Sequence, residues 1–575
     1  MKATLVLALG LAAVAASAQT IDPQRGADPA VDYRSLAALG PWDDRNYSLT
    51  ASDLALLAPN EAELNVKIPA FYRVQLRRER PEMLREGPVQ YPHSAAPMFR
   101  TLYGGYLVEG VLYRSVVRDQ ATKQWRVDLS RPWVSQKEWT QAALLDGEAR
   151  VTNPTGAAES AVAINPVNPS LVIAGSNGPA GGQNMHFSTD AGATWNAAAA
   201  LPLGGTCCDP TVAWSSDGTK AYTATLGSAV FFYRSGDNGQ TWTDLNNEPP
   251  GNPGNDPRRE LGSGVDKEYL HVDTHPTSPF LDRIYLSWHQ SNVLRIARSA
   301  DFGHTWSTVV HSNASDMRGI GSDITTDKNG HVYHFWPTFN SQKIKVLKST
   351  DGGATFDAGT DVASTQGSFI FPVPSMETRE VFIYASADAD RTNGPFANSI
   401  YVAWTDSTGA TGSNPTNNHA RIQVARSRDG GATWDVSTPH ATVDANSVDR
   451  YHQWLAVGPD GAVHVVFYDT EGDATRNSVH LNWSVSTDGG VNWSTPAALT
   501  TVRSSDIVDS FEFGDYNGLD VVGNQLIAIF TDNRNEAGGG GESVDVYAAG
   551  TFTAGGIFND GFESGDATAW SATVP

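Results

Sequence analysis

At 575 residues the chain exceeds one ordinary domain, and its 54 glycines and 16 tryptophans between short β-type runs point to a large all-β body. The formal charge of −23 is uneven: residues 19–150 hold 17 basic and 17 acidic side chains, residues 151–575 hold 22 and 46. The larger part therefore offers no basic face for phosphate, which argues against nucleic acid as a partner.

Residues 1–18 read as a secretory signal, with Lys2, an apolar run from Leu5 to Ala16, and Ser17-Ala18 before Gln19 as the cleavage site. A secreted or periplasmic protein is expected. No later stretch keeps about 18 apolar residues in a row, so membrane insertion is not expected. Residues 19–150 lack the repeat described next and read as an N-terminal accessory domain, with a charged helix face around Arg77, Arg78 and Arg80 and a β-like stretch over 101–118. Residues 151–555 form the repeat body, and 556–575 a C-terminal tail.

Six copies of one pattern run through that body: S-T-D-A-G-A-T-W at 188–195, S-G-D-N-G-Q-T-W at 235–242, S-A-D-F-G-H-T-W at 299–306, S-T-D-G-G-A-T-F at 349–356, S-R-D-G-G-A-T-W at 427–434 and S-T-D-G-G-V-N-W at 486–493. In each, the Asp carboxylate is suited to accept backbone N–H groups within a tight turn. The fifth-position Gly supplies the positive φ such a turn needs. The closing aromatic, Phe356 in the fourth copy and Trp elsewhere, is large enough to fill the space between neighbouring units. These residues read as scaffold.

A strand-turn-strand pattern precedes each box, beginning with A-V-A-I-N-P-V-N-P-S-L-V-I-A-G, and a third strand leads into the box. Box spacings of 47 to 78 residues fit four-stranded propeller blades with variable loops. A seventh unit, from Gly514 to Phe552, has no box and stops after three strands. A strand within 146–155 is expected to complete it and remove the open edge. The expected fold is a β-propeller of seven blades, with six as the alternative.

The pattern S-x-D-x-G-x-T-W resembles the Asp box of the sialidase-like β-propellers over roughly residues 155–555. That resemblance implies the fold and a glycan-related role. It leaves the reaction open, because unrelated receptors and lyases carry the same box. Sialidases of this kind use an arginine trio on the substrate carboxylate, an Asp acid/base and a Tyr nucleophile activated by Glu. By that resemblance Arg318, Arg379 and Arg450 are the candidate trio, Asp209 the acid, Tyr516 the nucleophile and Glu268 a third catalytic candidate. His452 and Asp515 join the arginines as substrate-binding candidates. The family's R-I-P motif is absent. E-S-A-V-A-I-N-P at 159–166 stands in its place, with Glu159 where a basic clamp is wanted.

All these residues fall at the starts of inner strands or in the loops beside them, where a propeller faces its axis. Cys207 and Cys208, the only cysteines, lie directly before Asp209 and are expected to form a vicinal disulfide in an oxidising setting. No metal site is expected from the histidines, which occur singly. Asp388, Asp390 and Asn393 provide the one oxygen cluster suited to calcium, without a full calcium loop. Two readings follow: an exported monomer that processes an extracellular glycan or glycoprotein at its axial mouth, as a sialidase-like hydrolase or a polysaccharide lyase, or a non-catalytic recognition propeller for a protein or cell-envelope partner.

Overall fold

The computed structural model describes residues 147–551 except 154–155, 180–181, 203–205, 228, 246–264, 507–511 and 535–543, together with four short strands between 106 and 127. The signal, most of the accessory domain and the tail lie outside the described residues. The chain divides into two compact units, Met1–Gln136 with Asn393–Pro395, and Lys137–Thr392 with Phe396–Pro575. Among its described residues the first unit has two hairpins, Tyr106–Val108 with Val111–Tyr113 and Val116–Arg118 with Trp125–Val127.

The second unit is a seven-bladed β-propeller. Each blade is an antiparallel meander whose first strand borders the axis. The inner strands are Ala158–Ile164, Thr211–Trp214, Val265–Val272, Asp323–Thr326, Ala385–Ala389, Arg450–Val457 and Gly518–Val522. Their order matches the seven units of the sequence. The seventh blade takes its outer strand from the other end of the body: Gly147–Arg150 pairs with Asp545–Gly550, with Ala149 opposite Ala548. The ring therefore begins at 147 rather than 151, and Arg150 Nη2 to Asp545 Oδ1 at 2.7 Å adds an ion pair to the closing ladder. An extra hairpin, Ile370–Val373 with Met376–Phe382, stands between blades 4 and 5.

An inner strand pairs with its own second strand but has no ladder partner across the axis, so amides on that edge need other acceptors. Side chains supply them. Thr211 Oγ1 accepts the Leu270 amide at 2.9 Å, Asp323 Oδ2 that of Ala387 at 2.6 Å, Asp388 Oδ2 that of Val457 at 2.9 Å and Asp520 Oδ2 that of Ile164 at 2.7 Å. Each bond links one blade to the next, and the last joins blade 7 to blade 1.

The six boxes share one hydrogen-bond set. In the third, Ser299 Oγ donates to Asp301 Oδ1 at 2.8 Å and accepts the Gly303 amide at 3.0 Å, while Thr305 donates its amide to Oδ1 at 2.8 Å and its hydroxyl to Oδ2 at 2.6 Å. Asn492 replaces the Thr hydroxyl in the sixth, at 2.6 Å from Asp488 Oδ2. Gly303 has φ +88°, and a Cβ there would stand 2.2 Å from the Phe232 ring of the preceding blade. Trp306 packs edge-on against that same ring, 5.0 Å between centroids, and is 2% exposed. The turn thus aims its aromatic into the seam between blades. Asp301→Ala leaves three turn donors of a half-buried loop without their acceptor and is expected to lower stability by about 1–2 kcal/mol. Chemical denaturation checks this, and an unchanged midpoint would contradict it.

Candidate functional site

Three of the seven inner strands start with a β-bulge, between Ala158 and Ser160, Asp266 and Tyr269, and Tyr451 and Trp454. The bulged residues Glu159, Lys267 and His452 have φ of +53°, +49° and +50°, and Asp209, just ahead of the second inner strand, has +59°. Non-glycine residues rarely adopt this conformation, and a bulge re-aims the side chain it carries. Glycine holds the approach to inner strands 4 and 7, at Gly321 and Gly514, with φ +68° and +67°. Gly514 lies so close to Glu159 that a Cβ would meet Glu159 Cγ at 2.7 Å.

These side chains form one network at the axial mouth. Arg379, on the inserted hairpin, donates from Nη2 to Glu159 Oε1 at 2.7 Å and from Nε to Asp515 Oδ1 at 2.6 Å. The hairpin is anchored by Glu512, which accepts the amides of Thr378 at 3.1 Å and Arg379 at 3.2 Å. Asn177 donates to Glu159 Oε2 and accepts the Asp209 amide at 2.9 Å. Tyr516 donates its hydroxyl to Asp209 Oδ1 at 3.2 Å. Asp209 and Asp266 lie side by side, both accepting the Lys267 amide, at 3.2 and 2.9 Å. Asp209 is buried whereas the Asp266 side chain is 55% exposed and lies 3.7 Å from His289 Nε2.

The electrostatics follow from burial. Desolvation, with like charge from Asp266 and Asp515, pushes Asp209 up to about 6 against the lowering effect of Lys267. Glu159 and Glu268 are raised well above the carboxylate range, again by burial first and then by neighbouring acids. Both Glu268 oxygens lack a hydrogen-bond partner among the described residues. His452 is driven down to about 3 by burial and then by Arg379, which keeps its imidazole neutral, and neither ring nitrogen is bonded. Burial opposes the charge of Arg379, but Asp515 and Glu159 more than offset it and hold the guanidinium charged.

Below the mouth the axis is a cavity of about 260 Å³ lined from all seven inner strands. Lys267 and Tyr516 line its upper end, and Asp388, Arg391 and Asp520 contribute polar groups further along.

The structure brings together Asp209, Tyr516, Glu268, Arg379 and Asp515, with His452 beside Arg379. It does not assemble the arginine trio. Arg450 is 1% exposed and bound to Asp469 at 2.7 Å, Asp444 at 2.9 Å and Glu471 at 3.3 Å. Arg450 is paired in register opposite Asp469, so its charge is consumed within its own blade. Arg318 stays in a loop ahead of inner strand 4, its Nε donating to Asn313 Oδ1 at 2.8 Å. Asn177, Tyr384 and Glu512 belong to the network without a sequence signal, while Asp266 and Lys267 are among the polar inner-strand positions expected to face the ligand but carry no assigned role in the sequence. Their signal is the D-K-E run at 266–268, a charged cluster opening a strand.

Cys207 and Cys208 form the vicinal disulfide. Cys207 is exposed, and the Cys208 carbonyl accepts the Thr225 hydroxyl at 3.3 Å. At the calcium candidate, Asp388 is taken by Arg391 at 2.8 Å and by the amides of Ala389 and Val457, and Asp390 by the Thr392 amide at 2.8 Å. No three His, Cys, Asp or Glu among the described residues are grouped to hold a metal ion. None of the described helices is long and apolar enough to cross a membrane.

A family model described only as a domain of unknown function, DUF8300, matches residues 32–117. No curated protein matches the chain. Among solved structures the chain is similar to the BP39L lectin of Burkholderia pseudomallei, at 11% identity over 69% of this chain and 96% of that one, with a TM-score of 0.43. The intramolecular trans-sialidase of Ruminococcus gnavus is similar at 12% identity over 54% and 89%, with a TM-score of 0.38. The α-L-arabinofuranosidase Arb93A of Fusarium graminearum is similar at 9% identity over 71% and 98%, also with a TM-score of 0.38.

The shifted carboxyls set the pH dependence of stability. Asp209 and Asp520, both raised to about 6, and Glu512, raised to about 7, contribute stability that is full below their unfolded values near 4 and is lost as pH rises through 6 to 7. Asp429, lowered to about 2 by its turn hydrogen bonds, contributes stability present above about 4 and lost as pH falls through 2. The Tm is therefore expected to peak between about pH 4 and 5 and to decline toward 7. Melting curves from pH 2 to 8 test this. A Tm that rises from 4 to 7 would contradict it.

Proposed function

We propose that the axial mouth is an acid/base site for a neutral, hydroxyl-rich glycan and that the protein is an exported glycoside-cleaving enzyme. The observation that carries this reading is the placement of a buried carboxyl, Asp209, beside an exposed one, Asp266, on one shared amide and under the Tyr516 hydroxyl. A carboxyl with its pKa near 6 keeps its proton in mildly acidic solution and can give it to a departing glycosidic oxygen as the C–O bond breaks. Water supplies the hydroxyl that the sugar carbon takes up, ionised Asp266 accepts the proton that this water loses, and passing it on to Asp209 restores the starting state. Tyr516 orients Asp209 through its hydroxyl. Glu268 keeps the surrounding field low in charge, because burial holds it protonated.

The neutral character of the ligand follows from Arg379. Its guanidinium already meets Glu159 and Asp515, and recruiting it to a sugar carboxylate would leave two acids unpaired. A sialidase-like trio lacks Arg450, whose charge is held by Asp444, Asp469 and Glu471. Cys207, exposed just before Asp209, offers an apolar surface on which a sugar ring can rest.

The alternative, a non-catalytic recognition propeller, is favoured by how fully Arg379, Glu159 and Asp515 satisfy one another. Product analysis on neutral oligosaccharides separates the two readings. Turnover is expected, with kcat/KM falling as pH rises through about 6, and Asp209→Asn is expected to lower it by about 10²–10⁴-fold. Binding without products, or a rate that Asp209→Asn leaves intact, would contradict the enzymatic reading.

A further inference from the structure

Lys267 stands where the parts of the mouth meet. It occupies the bulge of inner strand 3 in a left-handed conformation and is 7% exposed. Its amide donates to Asp209 Oδ2 at 3.2 Å and to Asp266 Oδ1 at 2.9 Å, so one N–H ties both carboxyls side by side. Its ammonium lies 3.0 Å from the centre of the Tyr516 ring and 5.6 Å from that of Tyr384. It makes no hydrogen bond or ion pair within the described residues. An ammonium that faces the axial cavity without an oxygen partner is incompletely solvated, and the faces of two tyrosines offset only part of that cost.

A purely structural lysine would be expected to pair with one of the nearby acids. This one is held over Tyr516 while its backbone, not its charge, makes the carboxylate contacts. We propose that Lys267 is a positioning residue of the acid/base pair: its amide sets Asp209 against Asp266, and its ammonium fixes the Tyr516 ring and supplies the counter-charge that faces the pair. The inference rests on the mouth being an acid/base site and gives a role to a residue that the sequence marks only as one polar position among several.

The groups facing Lys267 come from its own strand and from five other blades. Asp209 precedes inner strand 2, and Asp266 and Glu268 flank Lys267 in its own strand. Glu159 comes from blade 1, Asp323 from blade 4, and Tyr384 and Tyr516 from the approaches to blades 5 and 7. Asp515 and Arg379 complete the charged set around Glu159. Burial keeps Glu159, Glu268 and Asp323 raised, and Lys267 acts to lower all of them and Asp209. Removing its charge must therefore move the Asp209 titration upward.

The test is infrared titration of the protonated-carboxyl band, assigned to Asp209 by its loss in Asp209→Asn, and it needs no turnover. The midpoint in the unaltered protein is expected near 6. Lys267→Met is expected to raise it by about one pH unit, with the alkaline limb of kcat/KM moving with it, and Lys267→Arg to restore it. Lys267→Gln serves the same purpose should the Met variant fail to fold. A midpoint unmoved in either folded neutral variant, or moved equally by Lys267→Arg, would overturn the proposal. A shifted midpoint in a protein that cleaves no glycan would uphold Lys267 and sink the catalytic reading instead.

Discussion

Closure of the ring is the constraint on which everything else rests. Seven inner strands converge on one axis only because Gly147–Arg150 completes the blade built from the far end of the body, where Arg150 meets the fully buried Asp545. Inside the ring, each inner strand presents an edge with no ladder partner, and Asp323, Asp388 and Asp520 answer it by accepting amides from the neighbouring blade. These acids belong to the scaffold. They show how an excess of carboxylates in this body can serve packing rather than attract a cationic partner.

The same convergence concentrates charge at the mouth, where it must be balanced at close quarters. Glu159, Asp209, Asp266, Glu268 and Asp515 face two cations, Arg379 and Lys267. A buried set of that composition stays stable by retaining protons and by pairing. Arg379 takes two acids directly, burial raises Glu268, and Asp209 shares the Lys267 amide with Asp266. The chemistry proposed for the mouth is a consequence of this crowding: the like charges and the desolvation that burden the fold are what place a carboxyl near 6. Left-handed φ at Glu159, Asp209, Lys267 and His452 belongs to the same pattern, since strained backbone persists where the surroundings hold it and often marks a functional site.

Much of the fold was legible because its signals are local. A box such as S-A-D-F-G-H-T-W contains its own hydrogen-bond partners within four residues, and Gly303 declares its φ by being glycine. The missing strand of blade 7 could be anticipated from the open edge it would leave. Asp209, Tyr516 and Arg379 could be placed near one another because all three sit at the axial ends of their units. What could not be read was the choice of partner. Arg450 and Arg379 look alike in the sequence, yet one faces Asp469 across its own blade while the other spans the mouth from an inserted hairpin. Asn177 ends a second strand with nothing to distinguish it, and Glu512 acts through backbone amides 133 and 134 residues away. Lys267 lay in view within D-K-E, but its position over Tyr516 depends on a bulge that periodicity does not reveal.

The central claim is that Arg379 is neutralised from within, so that the mouth takes an uncharged sugar. Calorimetric titration with matched oligosaccharides that differ only in carrying a neutral or a carboxylate-bearing terminal residue tests it directly. The account predicts binding of the neutral member and at least about tenfold weaker binding of its acidic counterpart, a difference of about 1.4 kcal/mol. Tighter binding of the acidic sugar, lost on Arg379→Ala, would contradict it.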